Sequence, residues 1–335
     1  MKKRVAVVIL NYNGAAMLER FLPSVLEYSP EADVVVADNA STDNSVAVVR
    51  GKFPAVTVIS LDRNYGFADG YNKALELVDA EFYILLNSDV EVTPGWIAPL
   101  LAFMDADKEA VACQPKVLDC KNKACFEYAG ASGGFIDRYG YPYCRGRLFD
   151  TVEEDRGQYD DICRVFWVTG AAMMVRSGSY WAAGALDGRF FAHMEEIDLC
   201  WRMNARGGKL YCVPQSVVYH VGGATLKKSN PRKTYLNFRN NLLLLYKNMP
   251  QGGLGRVMRM RLMLDYVAAF KFLLCGGWGD FKAVVKARRD YRRMRDGFRG
   301  DRENNLAFAA VPLEEGRPFL LWQYYARGKK RYSNL

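Results

Sequence analysis

The sequence predicts an α/β chain in which a mainly parallel sheet is covered by helices and continued by a helical C-terminal extension. Three observations predict it. Over residues 4–86, short β-branched runs alternate with segments of helical spacing. The runs are nearly continuous in apolar residues, as in strands buried on both faces. From Asn237 onward the β-branched runs stop and long helical patterns take over.

The elements follow in order. RVAVVIL (4–10) is the first strand, and 15–28 is a helix with Met17, Leu18, Phe21, Leu22 and Val25 on one face. DVVVAD (33–38) is the second strand, 43–50 a short helix, VTVIS (56–60) the third strand, 67–78 a helix and FYILL (82–86) the fourth strand. Ligands bind beyond the C-terminal strand ends of such sheets. That rule puts 11–14, 38–43, 64–69 and 87–89 on one rim. The middle, about 110–220, reads as strands with fewer helices, one of them over 196–206. Breaks at Pro250-Gln251-Gly252-Gly253 and Cys275-Gly276-Gly277-Trp278-Gly279 interrupt the later helices, and a boundary is expected near residue 230.

Length and composition narrow the class. A chain of 335 residues, 50% hydrophobic and 25% charged, can bury a large core and is not globally disordered. MKKRVAVVILNYNG opens like a signal peptide, but the apolar run stops at Asn11 and no small-residue cleavage site follows. It reads as a buried strand. No window reaches the roughly 18 apolar residues of a spanning helix. The eight cysteines form no CxxC pair and read as reduced, mostly buried thiols of a cytosolic protein. The net charge of +9 is concentrated: 256–300 holds twelve Lys/Arg against four Asp, a balance of +8. So confined a patch suits an anionic membrane surface or a phosphate-bearing acceptor, not a DNA-binding domain.

Four polar clusters lie at element ends. In Asp38-Asn39-Ala40-Ser41-Thr42-Asp43, Ser41 or Thr42 can cap the next helix and Asp43 complement its dipole. Capping does not explain Asp38, which stands at a strand exit where a carboxylate can accept bonds from a nucleobase or ribose. Asn87-Ser88-Asp89 puts a second carboxylate on the rim, suited to a hard divalent cation that keeps positions open for diphosphate oxygens. His193, Glu195, Glu196 and Asp198 follow the Phe190-Phe191 pair. Acids in a first helical turn commonly complement the dipole. An apolar surround would instead raise a carboxyl's pKa and make it a general base toward an alcohol. Asp198 and Arg202 are spaced to pair on the helix. His220, before Gly222-Gly223, suits a metal or phosphate contact.

Taken in order, VVILNYNG (7–14), VVVADNASTDNS (34–45), NYGFADGYNKAL (64–75), YILLNSDVEVTPGW (83–96), VTGAAMMVRS (168–177), FFAHMEEIDLCWRMNARGGKLYCVP (190–214), VYHVGG (218–223) and LNFRNNLLLL (236–245) resemble the rhamnosyltransferase-like branch of the family-2 glycosyltransferases. The resemblance spans about 4–245. It implies the GT-A nucleotide-diphospho-sugar transferase fold, with a Rossmann-like, mainly parallel sheet. The expected organisation is a catalytic domain over 1–230, with a nucleotide-sugar-binding half over about 1–110 and an acceptor half over about 110–230. A helical, basic, membrane-associating region follows over 231–335.

The resemblance also implies roles. Asp38 corresponds to the nucleobase-binding aspartate. Asn87-Ser88-Asp89 corresponds to the DxD motif with Asn in place of its first acid, leaving Asp89 to carry the charge toward a Mg or Mn ion. Asn11, Asn13, Asn64, Gly66 and Asn72 join Asp38, Asn87, Ser88 and Asp89 as donor-binding residues, and His220 joins Asp89 as a metal ligand. The catalytic base falls on Glu196 or Glu195. The expected enzyme is inverting. It moves a rhamnose-like or other hexose from a nucleotide-diphosphate sugar to a glycan or polyprenyl-diphosphate-linked acceptor in cell-surface polysaccharide synthesis. It would act in the cytoplasm, as a peripheral protein on the inner face of the cell membrane. The amphipathic candidate for that contact is 281–298, where Phe281, Val284, Val285, Tyr291, Met294 and Phe298 recur among Lys and Arg residues.

Other classes fit less well. A dinucleotide-dependent oxidoreductase needs a glycine-rich turn after the first strand, and Asn11-Tyr12-Asn13-Gly14 has one glycine. No helix-turn-helix, zinc or RNA-recognition signature accompanies the positive charge, so no nucleic-acid partner is expected. A non-catalytic nucleotide-sugar-binding paralogue is the alternative that Asn87 keeps open.

Overall fold

The computed structural model describes residues 3–222, 230–308 and 318–335, which leaves Gly223 of the Gly-Gly pair outside the described residues. Its N-terminal part runs β1 (Val5–Asn11), α1 (Ala15–Tyr28), β2 (Ala32–Asp38), α2 (Ser45–Lys52), β3 (Thr57–Ser60), α3 (Gly66–Leu75), β4 (Phe82–Asn87), β5 (Val90–Val92) and α4 (Ile97–Ala106). The middle holds β6 (Ala110–Asp119), four short strands β7 (Gly134–Ile136), β8 (Pro142–Cys144), β9 (Arg147–Leu148) and β10 (Thr151–Val152), then β11 (Cys163–Val165), β12 (Ala172–Arg176), α5 (Ser177–Ala182), α6 (Glu195–Ala205) and β13 (Lys209–His220). Four helices follow: α7 (Pro231–Asn248), α8 (Gln251–Leu274), α9 (Trp278–Met294) and α10 (Arg299–Leu306).

The main sheet has the order β11-β13-β6-β12-β4-β1-β2-β3, with β5 against β13. β1, β2, β3 and β4 are parallel, as are β6 and β13, while β12 runs antiparallel between β4 and β6. Successive strand residues face opposite sides. Val5, Val7, Ile9, Val34, Val36, Ile84 and Leu86 pack under α1 and α4, whereas Ala6, Val8, Val35, Ala37 and Leu85 face α3, α6 and α7. Each large side chain so buried is worth about 1.5–3 kcal/mol, which is why runs without alternation become central strands.

The register aligns the rim. Asn11 pairs with Asp38, Asp38 with Ser60, and Leu10 with Asn87. Asp38 and Asn11 therefore stand side by side, one strand spacing of about 4.8 Å apart, and Asn87 ends the next strand level with Leu10.

The C-terminal helices depart from an appended region. Leu242, Leu243, Leu244 and Leu245 of α7 are fully buried in the same core as Val8 and Leu85. The Pro250–Gly253 break separates α7 from α8, and Gly252 and Gly253 lie within the first turn of α8. α9 buries Val284, Ala287, Arg288 and Tyr291. Arg288, counted in the basic surface stretch of 281–298, instead donates to the buried Asp265, which Arg261 also contacts at 3.2 Å. All eight cysteines are free. No helix among the described residues is long and apolar enough to cross a membrane.

Candidate active site

The first cluster forms where β1 and β2 end. Asp38, 4% exposed, accepts from the Asn11 amide at 3.1 Å and from the Ser41 backbone N–H at 3.0 Å. Asn11 also donates to Ser41 Oγ at 3.1 Å, and its own Oδ1 is buried without a partner. Asn13, at φ 52°, accepts from the backbone N–H groups of Thr42 and Asp43 at 2.7 and 3.3 Å. The 38–43 loop is thereby held by 11–13. A Cβ at Gly14 would lie 2.4 Å from Asn11 Oδ1 and would displace that side chain. Asn64 and Gly66 join this group through Asn39, which donates to Asn64 Oδ1 and Gly66 O at 3.1 and 2.9 Å. Asn39, 2% exposed, escaped the sequence reading because Asn after a strand-end Asp looks like an ordinary turn residue.

Asn72 is not brought to the rim. Its amide donates to Leu186 O at 2.8 Å, and its carbonyl accepts from Tyr180 OH and Leu186 N at 2.6 and 3.2 Å. These bonds occupy its carbonyl and one of its two amide hydrogens and tie α3 to the segment after α5.

The second cluster lies at the ends of β4 and β13. His220 Nε2 is 3.1 Å from Asp89 Oδ1 and 3.4 Å from the Asn87 amide nitrogen. His220 Nδ1 is 3.4 Å from Glu127 Oε1. Ser88 borders Gly14, its Oγ 3.8 Å from where a Cβ there would stand. Burial opposes the charge of both members, but the ion pairing prevails. Asp89 is held below the usual carboxylate range by His220, and His220 is pushed up to about 10 by Asp89 and Glu127. Glu127, 4% exposed, carried no signal, since it is 93 residues from His220 in sequence.

The residues fit a divalent cation only if it displaces the Nε2 proton that pairs His220 with Asp89, since a ligating imidazole must be neutral. Adjacent ligands of an octahedral ion at 2.0–2.1 Å stand about 3.0 Å apart, close to the 3.1 Å between Asp89 and His220. Glu127 beside Nδ1 supplies the outer carboxylate that orients a ligating imidazole. Among the described residues, no group of three or more His, Cys, Asp and Glu side chains is placed to hold a metal ion by itself. Asp89 and His220 would therefore leave coordination positions to a ligand.

The third cluster begins α6. Glu195 is buried and Glu196 partly so, and each has a buried Oε2 without a partner. Burial raises both carboxyls, and the charge of Glu196 raises Glu195 further. Glu196 Cβ lies 3.6 Å from where a Cβ on Gly170 would stand. Neighbouring Ala171 accepts from the Asn87 backbone N–H at 2.9 Å, which links Glu196 to the DxD-like segment. His193, pushed down to about 4 by burial and then by Lys233, is neutral.

The backbone leading to this pair is strained. Phe191 has φ 67° and ψ −57°, and Ala192 N donates to Phe190 O at 2.9 Å. That is a γ-turn of the rare positive-φ kind. His193 and Met194 follow at φ 69° and 77°. Such residues cost about 1–3 kcal/mol each and persist only when the surroundings over-determine them. Here α7 does so. Asn240, fully buried, donates to the carbonyls of Phe190, Ala192 and His193, all at 2.8 Å, and Arg239 donates to Phe190 O at 3.0 Å. Asn240→Asp keeps the shape and removes the donors. A 1 Å displacement of a catalytic group can cost about a hundredfold, so turnover should fall by about that factor with donor affinity unchanged. Unaltered turnover by steady-state kinetics would remove Asn240 from the positioning role.

Residues 6–147 match the family model described as "Glycosyl transferase family 2". The chain is 27% identical over 233 residues to the N-acetylglucosaminyl-diphospho-decaprenol L-rhamnosyltransferase of Mycobacterium tuberculosis, covering 64% of this chain and 75% of the relative. Its fold is similar to that of S. aureus TarS 1–349 in complex with UDP-GlcNAc (TM-score 0.57, 14% identity, 95% of this chain and 98% of that one). It is also similar to GalNAc-T7 with UDP, GalNAc and Mn2+ (TM-score 0.59, 17% identity, 91% of this chain). This chain spans 57% of the length of GalNAc-T7.

Proposed function

Because residues 6–147 match the glycosyl transferase family 2 model and the chain is rhamnosyltransferase-like in sequence and GT-A in fold, we propose that it is a family-2 glycosyltransferase that transfers a hexose, rhamnose or another, from a nucleoside-diphosphate sugar with inversion. The acceptor is a hydroxyl of a glycan or of a polyprenyl-diphosphate-linked sugar, presented at the inner face of the cell membrane. The observation that carries this reading is the pair of buried carboxyls at the head of α6, each with an unpartnered oxygen and a raised pKa. A carboxylate partly withdrawn from water, with one oxygen left unpartnered, is suited to taking a proton from an alcohol.

Glu196 is the base, since it is the less buried of the two and stands against Gly170 on the Asn87 side. It removes the proton as the acceptor oxygen bonds to the anomeric carbon, and the bond from that carbon to the diphosphate oxygen breaks on the opposite face. No covalent enzyme intermediate is needed. Asp38 and the unpartnered Asn11 Oδ1 receive N–H or O–H groups of the nucleoside. Asp89 and His220 would hold a Mg or Mn ion, which when bound supplies positive charge to the diphosphate. Most of the rate gain comes from positioning and from stabilising the leaving group.

A thermal-shift screen of nucleoside-diphosphate sugars with and without Mn2+, followed by a transfer assay, tests the reading. Metal-dependent stabilisation and turnover are expected with one donor. Asp89→Ala should abolish metal-dependent donor binding while the fold survives. Glu127→Gln should weaken metal affinity by about ten- to a hundredfold, as loss of an outer-shell partner does. Unchanged Mn2+ affinity and turnover in Asp89→Ala would sink the metal assignment. Donor binding with no hydrolysis or transfer would instead favour the non-catalytic binding paralogue.

A further inference from the structure

The amphipathicity of α8 is inverted. Its face toward the protein buries Val257, Arg261, Asp265 and Ala269, two of them ions. Its outward face exposes Leu262, Met263, Tyr266, Val267, Phe270 and Leu274, three of them more than half exposed besides Leu274 at 73%. At 100° per residue these six fall within one 140° arc. Soluble monomers rarely leave so many large apolar side chains together in water.

The buried side explains why the helix is not turned round. Asp265, fully buried, is contacted by Arg261 at 3.2 Å and by Arg288 of α9. Arg261 also donates to Asn241 of α7 and to Tyr139 O. Rotating α8 to hide its leucines would expose this network's partners unpaired, at a cost greater than the apolar burial gained. The apolar arc is therefore fixed outward.

Charge and aromatic placement identify what covers it. Between Gln251 and Gly279 the one acid is Asp265, which is buried. Arg256 and Arg259 are exposed on the line of the arc within two turns before it, Lys271 is exposed at its edge, and Lys282 stands 5.0 Å over the exposed Trp278 ring just beyond it. Lys271 also reaches the exposed Tyr325 ring at 4.9 Å, which brings the C-terminal segment alongside. Apolar residues flanked by Trp, Tyr and basic side chains, with no exposed acid, match the layering of a bilayer interface. A protein partner would have to offer an equally one-sided surface, whereas an anionic leaflet offers it everywhere.

We propose that α8 lies in the interface of an anionic membrane, with Met263, Tyr266, Val267, Phe270 and Leu274 among the acyl chains and Arg256, Arg259, Lys271 and Lys282 at the headgroups. This replaces 281–298 as the membrane-facing element, since α9 spends its apolar side on α7 and α8. The inference takes its lipid-borne acceptor from the proposed function, and its test is separate: vesicle binding needs no acceptor, and donor hydrolysis needs no vesicle.

The full chain is floated with phosphatidylcholine vesicles and with vesicles containing phosphatidylglycerol. Binding to the anionic vesicles, reduced by raised salt, is expected. V267E with F270E places two charges within the arc without touching the buried network. Each apolar side chain withdrawn from lipid is worth about tenfold or more in partition, so binding should fall by about a hundredfold, with donor hydrolysis in solution unchanged. R289Q with R292Q and R293Q, on the exposed side of α9, should have the smaller effect. The proposal is overturned if that triple variant releases the protein and V267E/F270E does not. It is equally overturned if vesicles of both kinds fail to bind while sedimentation shows a dimer that V267E/F270E dissociates, since a second copy then covers the arc.

Discussion

Glu196→Gln is expected to lower transfer by about a hundredfold to ten-thousandfold, the usual loss when one general base is removed, with donor affinity nearly unchanged. The amide keeps the size and hydrogen-bonding capacity of the carboxyl but cannot take the proton. The same variant should be more stable than the parent at neutral pH. Burial raises both Glu195 and Glu196, so the folded state prefers their protonated forms. The stability this contributes is fully present below the unfolded-state pKa and is lost as pH rises through the folded values. At pH 7 the pair is a burden on the fold that Gln relieves. Activity has the opposite dependence: the base must be ionised, so turnover rises with pH along an acid limb displaced above the ordinary glutamate range. The limb belongs to the pair, and its apparent values are shared. Collapse in Glu195→Gln but not in Glu196→Gln would exchange their roles. Full activity in both would mean that neither is the base.

Asp198→Ala should destabilise the chain by about 3–5 kcal/mol, the cost of removing one partner from a buried charge network. Asp198 is fully buried and accepts from Arg202 Nε at 2.9 Å, Lys247 Nζ at 2.8 Å and Asn248 Nδ2 at 2.7 Å. Lys247 also donates to Asp187 at 2.7 Å. Removal of Asp198 leaves Arg202 uncompensated and Lys247 with one anion. Burial opposes ionisation of Asp198, yet Arg202 and Lys247 hold its pKa below the usual range. Stability from this group is therefore present above the unfolded aspartate value of about 3.9 and is lost as pH falls through the lower folded value. Urea titrations at pH 7 and in acid check both statements. A midpoint unchanged at pH 7 would show that the network is dispensable.

The sheet was legible because burial on both faces writes itself into composition: β1, β2 and β4 are runs of Val, Ile and Leu that nothing but a covered strand accommodates. The rim residues Asp38, Asn87 and Asp89 were legible for the same reason, since each ends such a run. Asp198 and Arg202 pair as their spacing predicts. Long-range polar bonds had no local trace. Asn240 sits in LNFRNNLLLL, whose apolar tail drew attention away from three amides, and its partners lie 47–50 residues upstream. Glu127 is farther still from His220, 93 residues away. The positive-φ sequence at Phe191, His193 and Met194 contains no glycine to announce it. Arg288 misled, since it falls in the basic stretch 281–298 yet meets Asp265 in the interior.

The embrace of the α6 loop by α7 also governs how this chain can be recombined. An obvious crossover point lies near residue 230, where strand patterns give way to helices, and a relative's C-terminal helices could be joined there to alter membrane or acceptor preference. Such a chimera would inherit its base from one parent and the amide that holds the base's loop from the other. Asn240, Lys247 and Asn248 would have to travel together with Phe190–Asp198 to preserve the bonds between them. The exchangeable unit is therefore 187–248, a cassette that straddles the apparent seam.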